Sequence, residues 1–544
     1  MSENFSAGTP LLEIAGLRVE VMAEQGWREV VHGVDLILRR GEVLGLIGES
    51  GAGKSTIGLA ALGFARNGSR FSAGSIRLDG EELIGASERR LRALRGARVA
   101  YVAQSAAASF NPAHNLIDQY AEIPVAQGLK TRRQAEADAR EIYGTLSLPD
   151  PDGIGYRYPH QVSGGQLQRA MIAMAMACQP ELIVFDEPTT ALDVTTQVEV
   201  LTAIKVIVEK FGTAALYITH DLAVVAQMAD RIMVLRNGRK VEEGETRRLL
   251  AAPREPYTKD LLGLRAPSRK AIPPIADEEP LLRIENVSAA YGNCKVLHDV
   301  SVSVGRKRTI AVVGESGSGK STLARVITGL LPPSQGRIVF DRKPLPPLAR
   351  RRSRSQLKRI QMINQSPDIA LNPRQRVDEI LSRPLEFYLG LRGKERQKRI
   401  NDLLRMIELD ESYALRLPDE LSGGEKQRVC IARALAAEPE LIICDEVTSA
   451  LDQLVAQEIL RLLQRLQDEL SVSFLFITHD LITVKAIADE IVVMQGGRVI
   501  EQGDRETVLA PPHHPYTNLL LSSVPQMDPN WLTQLLANRG SASD

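Results

Sequence analysis

The chain has 544 residues, too many for one ordinary domain of roughly 100–200 residues. Its 67 Lys and Arg balance 67 Asp and Glu, which gives no support to a protein that wraps nucleic-acid phosphate. Hydrophobic residues at 44% and charged residues at 25% exclude wholesale disorder, and aromatics at only 4% leave the cores to Leu, Ile, Val and Ala.

Cys178, Cys294, Cys430 and Cys444 form no C-x-x-C pair, so neither a disulfide framework nor a zinc ribbon is expected. They read as scattered core thiols of a reducing compartment. The first ten residues are polar, with no secretory signal visible. No apolar run approaches roughly 18 residues; 170–178 reaches about half that, so the chain is not expected to span a membrane by itself.

In chain order, the first apolar run is Val43–Ile47, which feeds the turn Gly48-Glu49-Ser50-Gly51-Ala52-Gly53-Lys54-Ser55-Thr56. This is a P-loop pattern. Glycines let the backbone wrap phosphates, Lys54 reaches the outer phosphates, and Ser55 is a Mg²⁺ ligand. Gln104 ends a further apolar run and is placed to touch Mg²⁺ or the attacking water. Ser163-Gly164-Gly165-Gln166 opens a helix, an anion site by its free N–H groups and hydroxyl. The run 182–185 ends in Asp186, a candidate metal ligand, and Glu187, a candidate base for water attacking the γ-phosphate. The run 215–219 is followed by His220, read as a γ-phosphate contact.

The stretch 266–280 carries four prolines and reads as an extended linker. Every motif then returns. Thr309–Val313 feeds Gly314-Glu315-Ser316-Gly317-Ser318-Gly319-Lys320-Ser321-Thr322, with Lys320 and Ser321 in the roles of Lys54 and Ser55. Gln365, Ser422-Gly423-Gly424-Glu425, Asp445, Glu446 and His479 follow in the same order. The offset is 266 between the P-loop lysines and 259 at the signature turn, the acidic pair and the histidine, which marks a tandem duplication. The continuous apolar runs imply parallel strands covered by helices on both faces. Each signature turn lies over 100 residues beyond its own P-loop, an arrangement that suits a turn closing on nucleotide held by the other half.

Taken together, these residues resemble the nucleotide-binding domains of ABC ATPases over nearly the whole chain. Both halves carry Walker A, Q-loop, signature, Walker B with its Glu, a D-loop closed by Asp193 or Asp452, and H-loop. SFNP (109–112), ALNP (370–373), EPYTKDLL (255–262) and HPYTNLLL (514–521) are similar to segments of the oligopeptide/dipeptide/nickel importer ATPases. The resemblance implies an α/β fold with two tandem P-loop NTPase domains. Each would have a RecA-like parallel-sheet core, an antiparallel β subdomain and a helical signature subdomain. They would span 1–265 and 281–526, with a polar tail over 527–544 that is expected to fray.

It also implies an ATP- and Mg²⁺-dependent ATP hydrolase, the fused ATP-binding subunit of an importer of peptides or peptide-like solutes. Its partners would be two membrane permease subunits, docked by coupling helices beside each Q-loop, and a separate substrate-binding protein, with no nucleic acid. Its place would be the cytoplasmic face of the inner membrane. The P-loop of each half would face the signature of the other. Departures from the family pattern are Val162 for Leu, Glu425 for Gln, and Val447 for the Pro after the second Glu. Tyr291 fits the adenine-stacking aromatic of the second half, whereas the first has Val21, with Trp27 as a substitute or with weak stacking. Because no Cys follows either Pro-Tyr-Thr motif within its half, no iron–sulfur cluster is expected. The alternative is a soluble ABC-F-type translation factor, which the short, Pro-rich linker disfavours.

Overall fold

A computed structural model of the chain describes residues 10–23, 26–190, 192–263, 279–449 and 451–541. Most of the Pro-rich stretch 266–280 lies outside the described residues. The chain divides into two compact units, Met1–Leu264 with Pro525–Asp544, and Arg265–Val524.

The first unit holds two sheets. A four-stranded antiparallel sheet runs in the order Gly26–Arg39, Pro10–Ala23, Ser69–Leu78, Glu81–Glu82. The six-stranded sheet runs Arg239–Glu245, Arg231–Arg236, Val43–Ile47, Ala214–Ile218, Leu182–Asp186, Val99–Val102. All its pairs are parallel except the edge pair Arg239–Glu245 with Arg231–Arg236. Val43–Ile47, Leu182–Asp186 and Ala214–Ile218 are buried at every position, as continuous apolar runs require when helices cover both faces. Their side chains join those of the antiparallel sheet in one core, in which Leu12, Leu36, Leu44, Val184 and Leu216 are at most 1% exposed. The helices Leu116–Ala126, Arg132–Thr145 and Gly164–Met176 form the helical part.

The second unit repeats this plan. Its antiparallel sheet runs Cys294–Val304, Leu282–Tyr291, Gln335–Phe340, Lys343–Pro344. Its six-stranded sheet runs Ile360–Ile363, Leu441–Asp445, Ser473–Ile477, Thr309–Val313, Glu490–Gln495, Arg498–Asp504, again antiparallel only at its Arg498–Asp504 edge. In both units the strands that carry the motifs are neighbours, and the motifs all follow the strands' carboxyl ends. That is where open α/β sheets bind ligands.

The tail differs from the sequence expectation. Trp531–Ser541 is a helix, and Trp531 and Leu532 are buried. The amide of Gln227, on Leu222–Met228, donates to the carbonyls of Gln526 and Asp528 at 2.7 and 2.8 Å and accepts from the Leu532 N–H at 3.0 Å. Arg247 donates to Asn530 and Lys205 to Thr533, which ties this segment to the first unit. Trp531, Leu532 and Leu535 make a short apolar stripe that outweighs the polar composition around it.

Candidate functional site: two P-loop clusters

In the first unit the P-loop begins at Gly48 with φ +151, where a Cβ would stand 2.2 Å from the Leu235 carbonyl oxygen. Only glycine fits so close to the neighbouring strand. The loop ends at Gly53 in the left-handed region, and the helix Lys54–Ala60 starts directly from it. Lys54 is buried, and its Nζ folds back to donate to the Gly48 and Glu49 carbonyls at 2.7 and 2.8 Å. The second P-loop copies this. Gly314 has φ +150 with Met494 O at 2.2 Å from a Cβ, and Lys320 donates to Gly314 and Glu315 carbonyls at 2.8 and 2.7 Å.

The hydroxyl of Ser55 donates to Asp186 Oδ1 at 2.9 Å, and that of Ser321 to Asp445 Oδ1 at 3.0 Å. These two pairs, predicted as metal ligands, therefore meet in each unit. Glu187 Oε2 accepts from Gln104 Nε2 at 3.0 Å and from Thr190 Oγ1 at 3.0 Å, while its Oε1 is 3.1 Å from His220 Nδ1. Glu446 accepts from Gln365 Nε2 at 2.6 Å and is 3.3 Å from His479 Nδ1. The glutamine, the acidic residue and the histidine, 83 and 33 residues apart in the first unit and 81 and 33 in the second, thus form one hydrogen-bonded cluster in each unit.

Both glutamates take positive φ, 49° at Glu187 and 51° at Glu446. Such backbone costs about 1–3 kcal/mol at a non-glycine residue and persists where the surroundings over-determine it. Val447 in place of proline leaves the backbone conformation of the preceding glutamate unchanged.

Burial disfavours the Glu187 carboxylate most, but the bond and charge of His220, the Thr190 hydroxyl and the Lys54 charge together outweigh it and hold Glu187 below its ordinary value. Burial also disfavours the His220 imidazolium, but Glu187 outweighs that too and raises the histidine. His479 is raised in the same way by Glu446. Asp186 goes the other way. Burial pushes its carboxyl up and the Glu187 charge adds to it, against hydrogen bonds from Tyr101 and Ser55. Asp445 is likewise raised by burial first. A buried carboxylate beside a serine hydroxyl, short of compensating positive charge, is a donor set suited to a hard divalent cation.

One consequence concerns stability. A carboxyl raised in the fold loses stability as pH climbs through its unfolded value of about 3.8, and the loss persists at neutral pH. Asp186→Asn keeps one acceptor for Tyr101 and one donor for Ser55. It is expected to raise the thermal midpoint of nucleotide-free protein at pH 7, by roughly 2–4 °C per kcal/mol relieved, while abolishing turnover. Scanning calorimetry at pH 7 and at about pH 4, near the unfolded value, checks this. The gain should shrink at the lower pH, and a lower midpoint in the variant at pH 7 would contradict it.

The signature residues lie apart from these clusters, at the heads of Gly164–Met176 and Gly423–Leu435. Their side-chain bonds are internal. Ser163 and Gln166, and Ser422 and Glu425, form reciprocal capping boxes. The hydroxyls read as anion ligands therefore act as helix caps here, while the N–H groups of the first helical residues have no intrahelical acceptor. Glu425 also accepts from the Tyr413 hydroxyl at 2.6 Å. A Cβ on Gly165 would stand 2.2 Å from Thr196 Cγ2, and on Gly424 2.5 Å from Val455 Cγ1. The middle glycine is thus fixed by its packing against the helix that Asp193 or Asp452 caps.

Tyr291 is partly exposed beside the hairpin turn, and its hydroxyl accepts from Arg325 at 3.0 Å. Val21 in the matching register pairs with Arg28. Trp27 lies one pair further along, facing Met22, with the Arg70 guanidinium 4.1 Å from its ring.

Tyr101 escaped the sequence reading. Its hydroxyl donates to Asp186 Oδ2 at 2.5 Å. The second half has Met362 at the matching position, three residues before its glutamine, so the carboxylates of Asp186 and Asp445 differ in their support.

Two family models match the chain. The ABC transporter model covers residues 31–190 and 297–449, and the oligopeptide/dipeptide transporter C-terminal region covers 241–290 and 500–544. The glutathione import ATP-binding protein GsiA of Escherichia coli strain K12 is 36% identical over 575 residues, covering 97% of this chain and 92% of its own. The protein of the same name from Salmonella typhimurium strain LT2 is 36% identical, covering 96% and 90%. A solved structure, CbiO1 of Clostridium perfringens, part of an ABC transporter complex, is 33% identical with a TM-score of 0.39, covering 43% of this chain and 92% of its own. The match to a transporter C-terminal region in both halves does not favour the translation-factor alternative. Among the described residues no helix is long and apolar enough to cross a membrane. With two P-loop clusters and both family models repeated, the chain belongs to the ABC transporter family, as the fused, two-domain ATP-binding subunit, an ATP hydrolase, of an importer.

Proposed function

We propose that each cluster binds one ATP with Mg²⁺, that both hydrolyse it, and that the cycle drives uptake of a peptide-like solute through two separate permease subunits. The observation that carries this reading is the duplicate Ser–Asp and Gln–Glu–His geometry beside two intact P-loops. Lys54 and Lys320, now turned onto loop carbonyls, would exchange them for phosphate oxygens. Ser55 with Asp186, and Ser321 with Asp445, would hold Mg²⁺, which supplies charge neutralisation on the phosphates. Glu187, held below its ordinary value and so ionised at neutral pH, and Glu446 in the matching place would accept the proton of the attacking water. Gln104 and Gln365 fix one carboxylate oxygen and His220 and His479 the other, which orients each base. Ser422 and Gly424 would complete the first site and Ser163 and Gly165 the second. ATP binding would close the two halves and hydrolysis would reset them.

The relatives' name and the matched C-terminal region support a peptide-type cargo, with glutathione the first to test. A substrate-binding protein would deliver it, and the subunit would sit on the cytoplasmic face of the inner membrane. Co-expressed with its permeases, the chain should co-purify with them from the membrane fraction, colourless and free of iron and acid-labile sulfide. Proteoliposomes holding the complex should take up labelled glutathione or a short peptide only with ATP inside the cytoplasmic compartment. A chain that stays soluble beside its permeases would contradict the importer assembly, and visible absorbance from a Cys-ligated cluster would contradict the metal reading.

A further inference from the structure

Each unit carries a helix with the Pro-Tyr-Thr motif, and in one of them its tyrosine bonds to the P-loop. In the second, Tyr516 lies on the helix Pro515–Ser522, is buried, and its hydroxyl accepts the Glu315 N–H at 2.9 Å. Glu315 directly follows the first P-loop glycine, so this bond fixes the first peptide of the phosphate-binding turn. The helix is itself anchored. Glu501, on Arg498–Asp504, accepts from the Thr517 hydroxyl and from the His514 N–H. A cavity of only about 10 Å³, lined by Val313, Leu481, Thr517 and Leu520 among others, separates this helix from the P-loop strand and from the helix after His479. The packing therefore leaves little slack between the motif and the loop.

The first unit has the same residues without that bond. Tyr257, on Pro256–Leu262, is buried, with the Arg236 guanidinium 4.6 Å from its ring. Its hydroxyl is buried but has no hydrogen-bond partner among the described residues, and burial pushes the phenol up. Glu242, matching Glu501, accepts from the Arg254 and Glu255 N–H groups at 2.9 and 3.1 Å and so fixes the start of that helix.

We propose that Tyr516 is a positioning residue of the second ATP site: it holds the first peptide of its P-loop, so that the loop is ordered for phosphate before nucleotide arrives. A P-loop ordered in advance does not spend binding energy on ordering itself. Tyrosine is required because phenylalanine keeps the ring in its packed place but leaves the Glu315 N–H without its acceptor.

The test uses full-length protein in which Glu187→Gln and Glu446→Gln stop hydrolysis, titrated with Mg-ATP by calorimetry. Tyr516→Phe is expected to weaken one of the two binding events by about 5–10-fold, the effect of one lost hydrogen bond to a backbone amide, whereas Tyr257→Phe, which removes an unpartnered hydroxyl, should leave both within about twofold. Amide exchange of the peptide that contains Glu315 should speed up in Tyr516→Phe before any ATP is added. Affinities within twofold of the parent in Tyr516→Phe, with unchanged circular dichroism, would overturn the proposal. So would a Phe variant that fails to fold, since the tyrosine would then serve the fold alone. A parent that binds no ATP at all would instead count against the ATP-site reading on which this inference rests.

Discussion

Replacing Glu187 by glutamine is expected to lower steady-state ATP turnover of the assembled transporter at least about 10²-fold, and Glu446→Gln to do the same. Glutamine keeps the shape of the side chain, and one of its two polar atoms still accepts. What it loses is the carboxylate, held below its ordinary pKa by the histidine 3.1 Å away. The contacts from Gln104 and Thr190 survive in part, so ATP binding is spared and the ATP-bound state accumulates. The two sites need not fail to the same degree. Glu187 has the Thr190 hydroxyl on its carboxylate, whereas the matching Ser449 hydroxyl donates to the Glu446 backbone carbonyl at 3.0 Å. Near-full activity in either variant would mean that its site regulates and does not turn over.

The second large effect comes from the first glycine of each P-loop. Gly48→Ala would drive a Cβ to within 2.2 Å of the Leu235 carbonyl oxygen, and Gly314→Ala to within 2.2 Å of that of Met494. Both obstacles are backbone of the neighbouring strand, which cannot swing aside as a side chain would. Overpacking and the unfavourable φ together should cost about 2–4 kcal/mol, and the loop should lose ATP binding at that site. Gly51 and Gly317 give the matching comparison. A Cβ there meets nothing within 4 Å, so only the φ of +79° or +81° is unfavourable. Gly51→Ala should therefore cost about 1 kcal/mol and keep a measurable affinity. Thermal midpoints and ATP titrations of the four variants separate the two cases, and equal losses from Gly48→Ala and Gly51→Ala would show that close approach to the strand is not the cause.

Much of this site was legible in the sequence because its parts are local patterns. A P-loop is nine adjacent residues, and each acidic pair ends an unbroken apolar strand such as Leu182–Asp186. The repeat then doubled every signal. What escaped is non-local or conformational. Tyr101 looks like one more aromatic in an apolar run, and only the pairing of Val99–Val102 beside Leu182–Asp186 brings its hydroxyl to Asp186. The positive φ of Glu187 and Glu446 has no signal in residue type, since glutamate is not a left-handed former. The capping boxes could have been read, because Ser163 with Gln166 and Ser422 with Glu425 have the spacing that makes one. The tail was misread on composition, since its polar residues hid the stripe of Trp531, Leu532 and Leu535.

The measurement that tests two working sites most directly is the number of nucleotides retained by the doubly substituted Glu187→Gln, Glu446→Gln chain in the assembled transporter, after rapid removal of free Mg-ATP. Two working sites predict two ATP per chain and essentially no ADP, falling to a lower count when Lys54→Ala or Lys320→Ala removes either phosphate contact. One ATP per chain, insensitive to one of the two lysine substitutions, would contradict the account.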